Sequence, residues 1–120
     1  MPLLPSDPRS VVQRQFDAYN AHDVDALVDT YADDAEQFAL PSKLLASGSA
    51  QLRDRYAARF RDDKPHSALV SRTVLGNMVV DHEEVTNRRA QGIVKAAVVA
   101  IYEVQYGKIS RAWFISALIS

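Results

Sequence analysis

Four consecutive ionisable residues, Asp81-His82-Glu83-Glu84, form the densest chemical signal in the chain. They fall in a stretch whose apolar residues recur at period two, so they read as part of a strand. Strand geometry puts Asp81 and Glu83 on one face and His82 and Glu84 on the other. His82 is the candidate general acid or base, because an imidazole with an ordinary pKa of about 6.5 exchanges protons near neutral pH. The competing reading is a histidine on the outer surface, or one satisfied by a neighbouring hydroxyl such as Ser71. Glu103 is the second candidate catalytic residue, either orienting the His82 ring or sitting as a solvated carboxylate at a strand end. His22 reads as a loop residue and His66 as the start of a strand. These three histidines are isolated, with no pair at ligand spacing on a helix face, so no metal site is expected. The chain has no cysteine, which excludes disulfides and thiol nucleophiles. There is no glycine-rich phosphate loop and no nucleophile elbow, so no cofactor is expected. Arg88-Arg89 is too small a cluster for nucleic acid.

The elements that must position these groups begin with helices. Asp7-Pro8 marks a start, Asp7 as cap and Pro8 at the first helical position. Val12, Phe16 and Tyr19 then share a stripe. A second helix is predicted from Asp23, with Val24, Leu27, Val28 and Tyr31 on one face, stopped at Asp33-Asp34. Residues 36–39 read as a short strand ended by Pro41, and 42–48 as a loop with a possible short strand at Leu44-Leu45. Ser49 is the expected cap of a third helix, where Leu52, Tyr56 and Phe60 recur every four residues. Arg53, Asp54, Arg61 and Asp62 form its solvated side. After Pro65 the period changes to two. Residues 66–75 and 78–85 are predicted strands joined at Gly76-Asn77, and 86–91 a polar loop. A two-residue turn there sets Arg72 opposite Asp81, as a cross-strand ion pair, and Ser71 opposite His82.

Residues 93–115 then read as a long hairpin turning at Tyr106-Gly107, where glycine supplies a positive φ. Both faces of its first arm are apolar: Ala97, Val99 and Ile101 on one, Ala96, Val98, Ala100 and Tyr102 on the other. A two-residue turn puts Glu103 on a face with Val99, Ile101, Ala112 and Phe114, and Trp113 and Ile115 on the opposite one. A sheet with one wet face alternates, so this one is expected to be covered on both sides. Helices supply one cover. A second copy of the chain, in a twofold dimer through Trp113 and Ile115, would supply the other.

Helices followed by a run of antiparallel strands indicate an α+β class. At 120 residues, 48% of them apolar, the chain is read as one domain spanning 1–120, with 1–6 expected to be flexible. The net charge of −1 gives no field to attract nucleic acid or an anionic membrane. The proline-broken start MPLLPSDPRS does not read as a signal peptide, and no stretch is long and apolar enough to span a membrane. A cytoplasmic location is the expectation.

Three stretches, VVQRQFDAYNAHDVDALVDTYADDAE at 11–36, GSAQLRDRYAARF at 48–60 and IYEVQYGKISRAWF at 101–114, resemble the nuclear transport factor 2-like superfamily, with its SnoaL-like and ketosteroid isomerase-like domains. The resemblance runs over nearly the whole chain. It implies a cystatin-like cone in which three N-terminal helices pack on a curved antiparallel sheet, an apolar pocket at the open end, and dimers through the outer sheet face. It does not extend to the ketosteroid isomerase catalytic residues. Ala39 falls at the carboxylate base, Gln15 at the oxyanion tyrosine, and Ala100 or Ile101 at the protonated aspartic acid, a pair of oxyanion donors known from that enzyme. Steroid isomerisation is therefore not expected. The expected pocket lining is Phe16, Tyr19, Tyr31, Phe38, Tyr56, Phe60, Ile101 and Phe114. The implied function is acid–base chemistry (isomerisation, cyclisation or hydration) on a small apolar carbonyl compound. The alternative is a non-catalytic ligand-binding or dimeric assembly domain.

Overall fold

The computed structural model describes residues 4–119 and has the order α1 (Pro8–Ala21), α2 (Val24–Asp29), β1 (Tyr31–Ala39), β2 (Lys43–Ser47), α3 (Ser49–Asp63), β3 (His66–Leu75), β4 (Met78–Arg89), β5 (Gly92–Gln105) and β6 (Lys108–Ile119). Pro8 occupies the first turn of α1 as expected, but the Asp7 carboxylate does not cap the helix. It accepts instead from the Leu4 backbone N–H at 2.8 Å. Residues 1–3 of the segment expected to be flexible lie outside the described residues, while Leu4 to Asp7 form a turn closed by Asp7 N–H donating to the Leu4 carbonyl. Asp23 does cap α2, accepting from Ala26 N–H at 3.0 Å.

That second helix is shorter than its apolar stripe suggests. Thr30 ends it, donating its hydroxyl to the Leu27 carbonyl, while its own carbonyl accepts from Ile109 N–H on β6. The chain is thereby drawn into the sheet, and Tyr31 opens β1 rather than closing α2. Gly48, with φ of +85°, stands at the N-cap of α3 in place of Ser49. The buried residues of α3 are Leu52, Tyr56 and Phe60, as their spacing requires.

The six strands form one curved sheet in the order β2-β1-β6-β5-β4-β3. It is mixed, not wholly antiparallel, because β1 runs parallel to β6. Nor do all three helices precede the sheet, since α3 is inserted between β2 and β3. The β3–β4 register places Arg72 opposite Asp81 and Ser71 opposite His82, as the short turn at Gly76-Asn77 demands. The expected loop over 86–91 is mostly strand. Pairing with β5 continues through Arg89, because long partners can keep polar residues in a ladder when one face is wet.

The β5–β6 hairpin carries the most consequential departure. Its register shifts between Glu103 and Val104, leaving Ser110 as an extra residue on β6. The Ser110 hydroxyl lies 3.1 Å from the Glu103 carbonyl oxygen and 2.8 Å from its Oε1. A shift of one residue transfers every later side chain to the other face. Ile101 is thus beside Trp113, while Ala100 is beside Phe114.

Helices α1 and α3 lie on the concave face. Beneath them Val11, Val12, Leu27, Leu52, Val79, Ile109 and Ala112 form a solvent-free core. Each large aliphatic side chain there contributes about 1.5–3 kcal/mol by leaving water. Among the described residues no helix is long and apolar enough to cross a membrane.

Candidate functional site

Past this core, the concave face and the two long helices enclose a cavity of about 310 Å³, the low end of the range for small-molecule sites. The sheet wall is ordered in rows by the registers of β4, β5 and β6. Tyr102 stands at the closed end, and Asp81, Ala100 and Phe114 form the row above it. Glu83, Val98 and Ser116 form the next, then Val85, Ala96 and Leu118. Asn87 and Val94 follow, and Arg89 stands at the end of β4. All but Asp81 line the cavity. Side chains alternating at about 3.3 Å per residue put Asn87 about 13 Å along the wall from Glu83.

Glu83 is the carboxyl group of this wall. It is 7% exposed. Burial pushes its pKa above the usual carboxylate range and the nearby Asp81 charge adds to the rise, whereas a hydrogen bond from Ser67 and the Arg72 charge oppose it. Ser67 Oγ donates to Oε1 at 2.5 Å. Among the described residues no hydrogen bond reaches Oε2. Immediately beneath, Arg72 donates Nε and one Nη to the two Asp81 oxygens at 2.7 and 2.9 Å. It donates the other Nη to Gln13 Oε1 on α1 at 2.6 Å. The Arg72 and Asp81 side chains are 7% and 1% exposed. The expected cross-strand ion pair is therefore formed, and is a buried one that pins β3, β4 and α1 together below Glu83. The Asp81 hydrogen bonds raise the Arg72 pKa further.

Opposite the wall, Tyr19 and Tyr56 present phenols, their rings edge to face at 6.2 Å. Arg59 donates to the Tyr19 hydroxyl at 2.9 Å, and Gln37 Nε2 donates to the Tyr56 hydroxyl at 2.8 Å and to Tyr31 at 2.9 Å. The Tyr19 and Tyr56 oxygens thus each accept from a fixed N–H, and the Tyr19 proton is free to be donated. Burial raises the Tyr19 pKa to about 12, against the lowering effect of Arg59, so the phenol stays protonated at neutral pH. Tyr102, at the closed end, is likewise pushed up by burial, and donates to Gln15 Oε1 at 3.3 Å. Asp63 closes the rim, accepting from Arg59 at 2.5 Å and from Arg89 at 2.8 Å.

The structure corrects both assigned catalytic residues. His82 is exposed, on the convex face beside Val99, because Asp81 and Glu83 take the inward positions of β4. Glu103 shares that convex face with Ile101 and is held by Ser110, outside the cavity. Of the expected lining, Phe16, Tyr19, Tyr56 and Phe114 bound the cavity. Tyr31 is buried behind Tyr56. Phe60 packs on Tyr19 and on His22, with ring centroids 5.6 and 5.0 Å apart. Phe38 stacks on Trp113 at 6.2 Å, and Ile101 faces outward between Val80 and Trp113. Ala39 does not line the cavity, whereas Gln15 and Ala100 do.

Sequence reasoning missed Glu83, Asn87, Arg55 and Arg59. Each face of β4 offers two apolar residues beside its ionisable ones, so alternation alone does not say which points inward. Arg55 and Arg59, spaced four apart next to Tyr56, were the available sign that one flank of α3 was not simply solvated.

The SnoaL-like domain family model matches residues 12–112. No curated protein matches the chain. Among solved structures, a cystatin-fold protein from Novosphingobium aromaticivorans is 28% identical, with a TM-score of 0.86 over 91% of this chain and 97% of its own. SalBIII, an epoxide hydrolase/cyclase-like enzyme in pyran ring formation in the polyether salinomycin, is 17% identical, with a TM-score of 0.83 over 92% of this chain and 90% of its own. A protein assigned as a polyketide cyclase from Sinorhizobium meliloti is 22% identical, with a TM-score of 0.74 over 88% and 93%. The last two establish likeness of fold alone. With the family model covering most of the chain and the cone in place, the protein belongs to the SnoaL-like domain family.

Proposed function

We propose that this protein is an acid–base enzyme of the isomerase, cyclase or hydratase type, acting on a small, mainly apolar carbonyl compound, with Glu83 as the proton-transferring group. The observation that carries the reading is the Glu83 carboxyl group, buried in an aromatic and aliphatic wall with one oxygen unclaimed. Desolvation brings its pKa toward the operating pH, where a general base is most effective. Glu83 would take the proton from the carbon next to a carbonyl. Tyr19 and Tyr56 would donate hydrogen bonds to the oxygen that gains charge, in a cavity where water does not weaken them. The proton would return from Glu83 to a different atom for isomerisation, or after ring closure for cyclisation. The cyclase-like neighbours are consistent with this chemistry.

The test is deuterium exchange at the methyl group of 2-acetylnaphthalene, followed by proton NMR in heavy water. Wild type should accelerate exchange, and Glu83→Gln should lower the enzymatic rate by about 10²–10⁴-fold. His82→Gln should leave it unchanged. A rate that survives Glu83→Gln but falls in His82→Gln would overturn the assignment.

The chain is further proposed to form a twofold dimer through its convex sheet face, where Val80, Val99, Ile101, Trp113 and Ile115 lie together in register. Ile115 is 55% exposed, and a continuous apolar patch of this kind is what association removes from water.

A further inference from the structure

The cavity is not electrically neutral, and the imbalance points to the chemistry of its ligand. Three guanidinium groups, those of Arg55, Arg59 and Arg89, line it against one carboxylate, Glu83, whose ionised form burial disfavours. Arg59 and Arg89 share Asp63. Arg55 has no such partner. Among the described residues it makes neither an ion pair nor a hydrogen bond, and its guanidinium lies over the Tyr56 ring at 5.1 Å and near the Phe114 ring at 5.8 Å. Stacking of this kind fixes the plane of the guanidinium and leaves its N–H groups free. A second polar group in the wall is also unclaimed. Asn87 is 5% exposed, and its buried amide oxygen has no hydrogen-bond partner.

We infer that the ligand of this cavity is a carboxylic acid with an apolar body, its carboxylate held by Arg55. This rests on the small-molecule reading of the cavity and narrows its substrate class. A planar, pre-stacked guanidinium fork matches a carboxylate with two parallel hydrogen bonds. Phe114, beneath Arg55, stands one row deeper than Glu83 and two strands away, about 10 Å across the sheet at the usual strand spacing. A carboxylate on Arg55 therefore leaves the ligand body over Val98 and Ala100, with a second functional group within reach of Glu83. The Asn87 amide oxygen would accept from a hydroxyl or amide at the outer end of the same molecule.

The test compares 2-naphthoic acid with 2-acetylnaphthalene, which share size and ring system, by calorimetric titration at pH 8. Wild type should bind the acid about tenfold more tightly than the ketone. Arg55→Gln should bring the two affinities together while keeping that for the ketone, and Arg55→Lys should restore part of the preference. Equal affinities in wild type, or a preference untouched in Arg55→Gln, would overturn the inference and leave the acid–base reading standing. If neither compound binds, the small-molecule reading falls and this inference with it. If deuterium exchange survives in Glu83→Gln while wild type still prefers the acid, only the catalytic assignment falls.

Discussion

Breaking the Arg72–Asp81 pair probes the platform under Glu83 and gives a result that a surface ion pair would not. Both side chains are nearly solvent-free, and Arg72 uses three hydrogen bonds to tie β4 to α1 through Gln13. Asp81→Asn leaves a buried guanidinium without its counter-charge, and Arg72→Met leaves a buried carboxylate. Removing one partner of such a pair costs about 3–5 kcal/mol, whereas replacing both by apolar residues of similar volume is often neutral or stabilising. The unfolding entropy, about 2.1 cal/mol/K per residue, comes to about 0.25 kcal/mol/K for a chain of this length, so each single variant should melt about 12–20 °C below wild type. Arg72→Met/Asp81→Leu should recover most of that loss. Thermal unfolding by circular dichroism checks the magnitudes, and urea titration checks that the slope is unchanged. The pair also biases Glu83 in opposite senses, Asp81 raising its pKa and Arg72 lowering it. Arg72→Met should therefore move the pH profile of deuterium exchange upward and Asp81→Asn move it downward. If both single variants melt within about 4 °C of wild type, roughly 1 kcal/mol, the pair is solvated and the account of a dry floor beneath the cavity is wrong.

Two further outcomes follow from the same geometry. Because the folded-state pKa of Glu83 is raised, folding favours its protonated form. Glu83 therefore costs no stability at pH values below its unfolded pKa, and an increasing amount as pH rises from there through the folded value. The melting temperature of Glu83→Gln should rise relative to wild type across that window, and a constant difference from pH 4 to pH 8 would contradict the burial argument. Ile115→Lys places a charge in the proposed dimer face, so sedimentation equilibrium at micromolar concentration should show dimeric wild type and monomeric variant. A monomeric wild type would remove the dimer.

What could be read from the sequence divides along a physical line. Features set by local periodicity were legible: the α1 and α3 stripes, the change of period after Pro65, and the register across the Gly76-Asn77 turn. The superfamily was legible because the order and spacing of elements carry it. Features set by tertiary competition were not. Tyr31 fits the α2 stripe, but Ile109 pairs with Thr30 and draws the chain into the sheet. Nothing local announces the bulge at Ser110, yet it decides that Phe114 lies beside Ala100 rather than Val99. The inward face of β4 was undecidable from alternation. His82 was favoured for the pKa of a free imidazole, whereas the relevant property is an environment that moves a pKa. Burial supplies that to Glu83.

That environment also weighs against a purely structural reading of the inner wall. A closed core keeps polar groups only where partners satisfy them, since an unsatisfied buried amide or carboxyl costs about 1–3 kcal/mol. Most of the deeper polar groups here obey that rule: Asp81 has Arg72, and Tyr102 has Gln15. Gln37, behind the two phenols, keeps one orphaned amide oxygen in the core, and the other unclaimed groups border the cavity. Glu83 has an oxygen with no partner, Asn87 has an orphaned amide oxygen, and Arg55 has a guanidinium with only aromatic faces against it. Leucine or methionine in place of Glu83 and Asn87 would pack the same rows at lower cost. Their unmet hydrogen bonds converge on one volume, about 310 Å³, that a small polar-ended molecule can fill. Occupation by such a molecule restores those bonds and supplies the stability the empty cavity lacks.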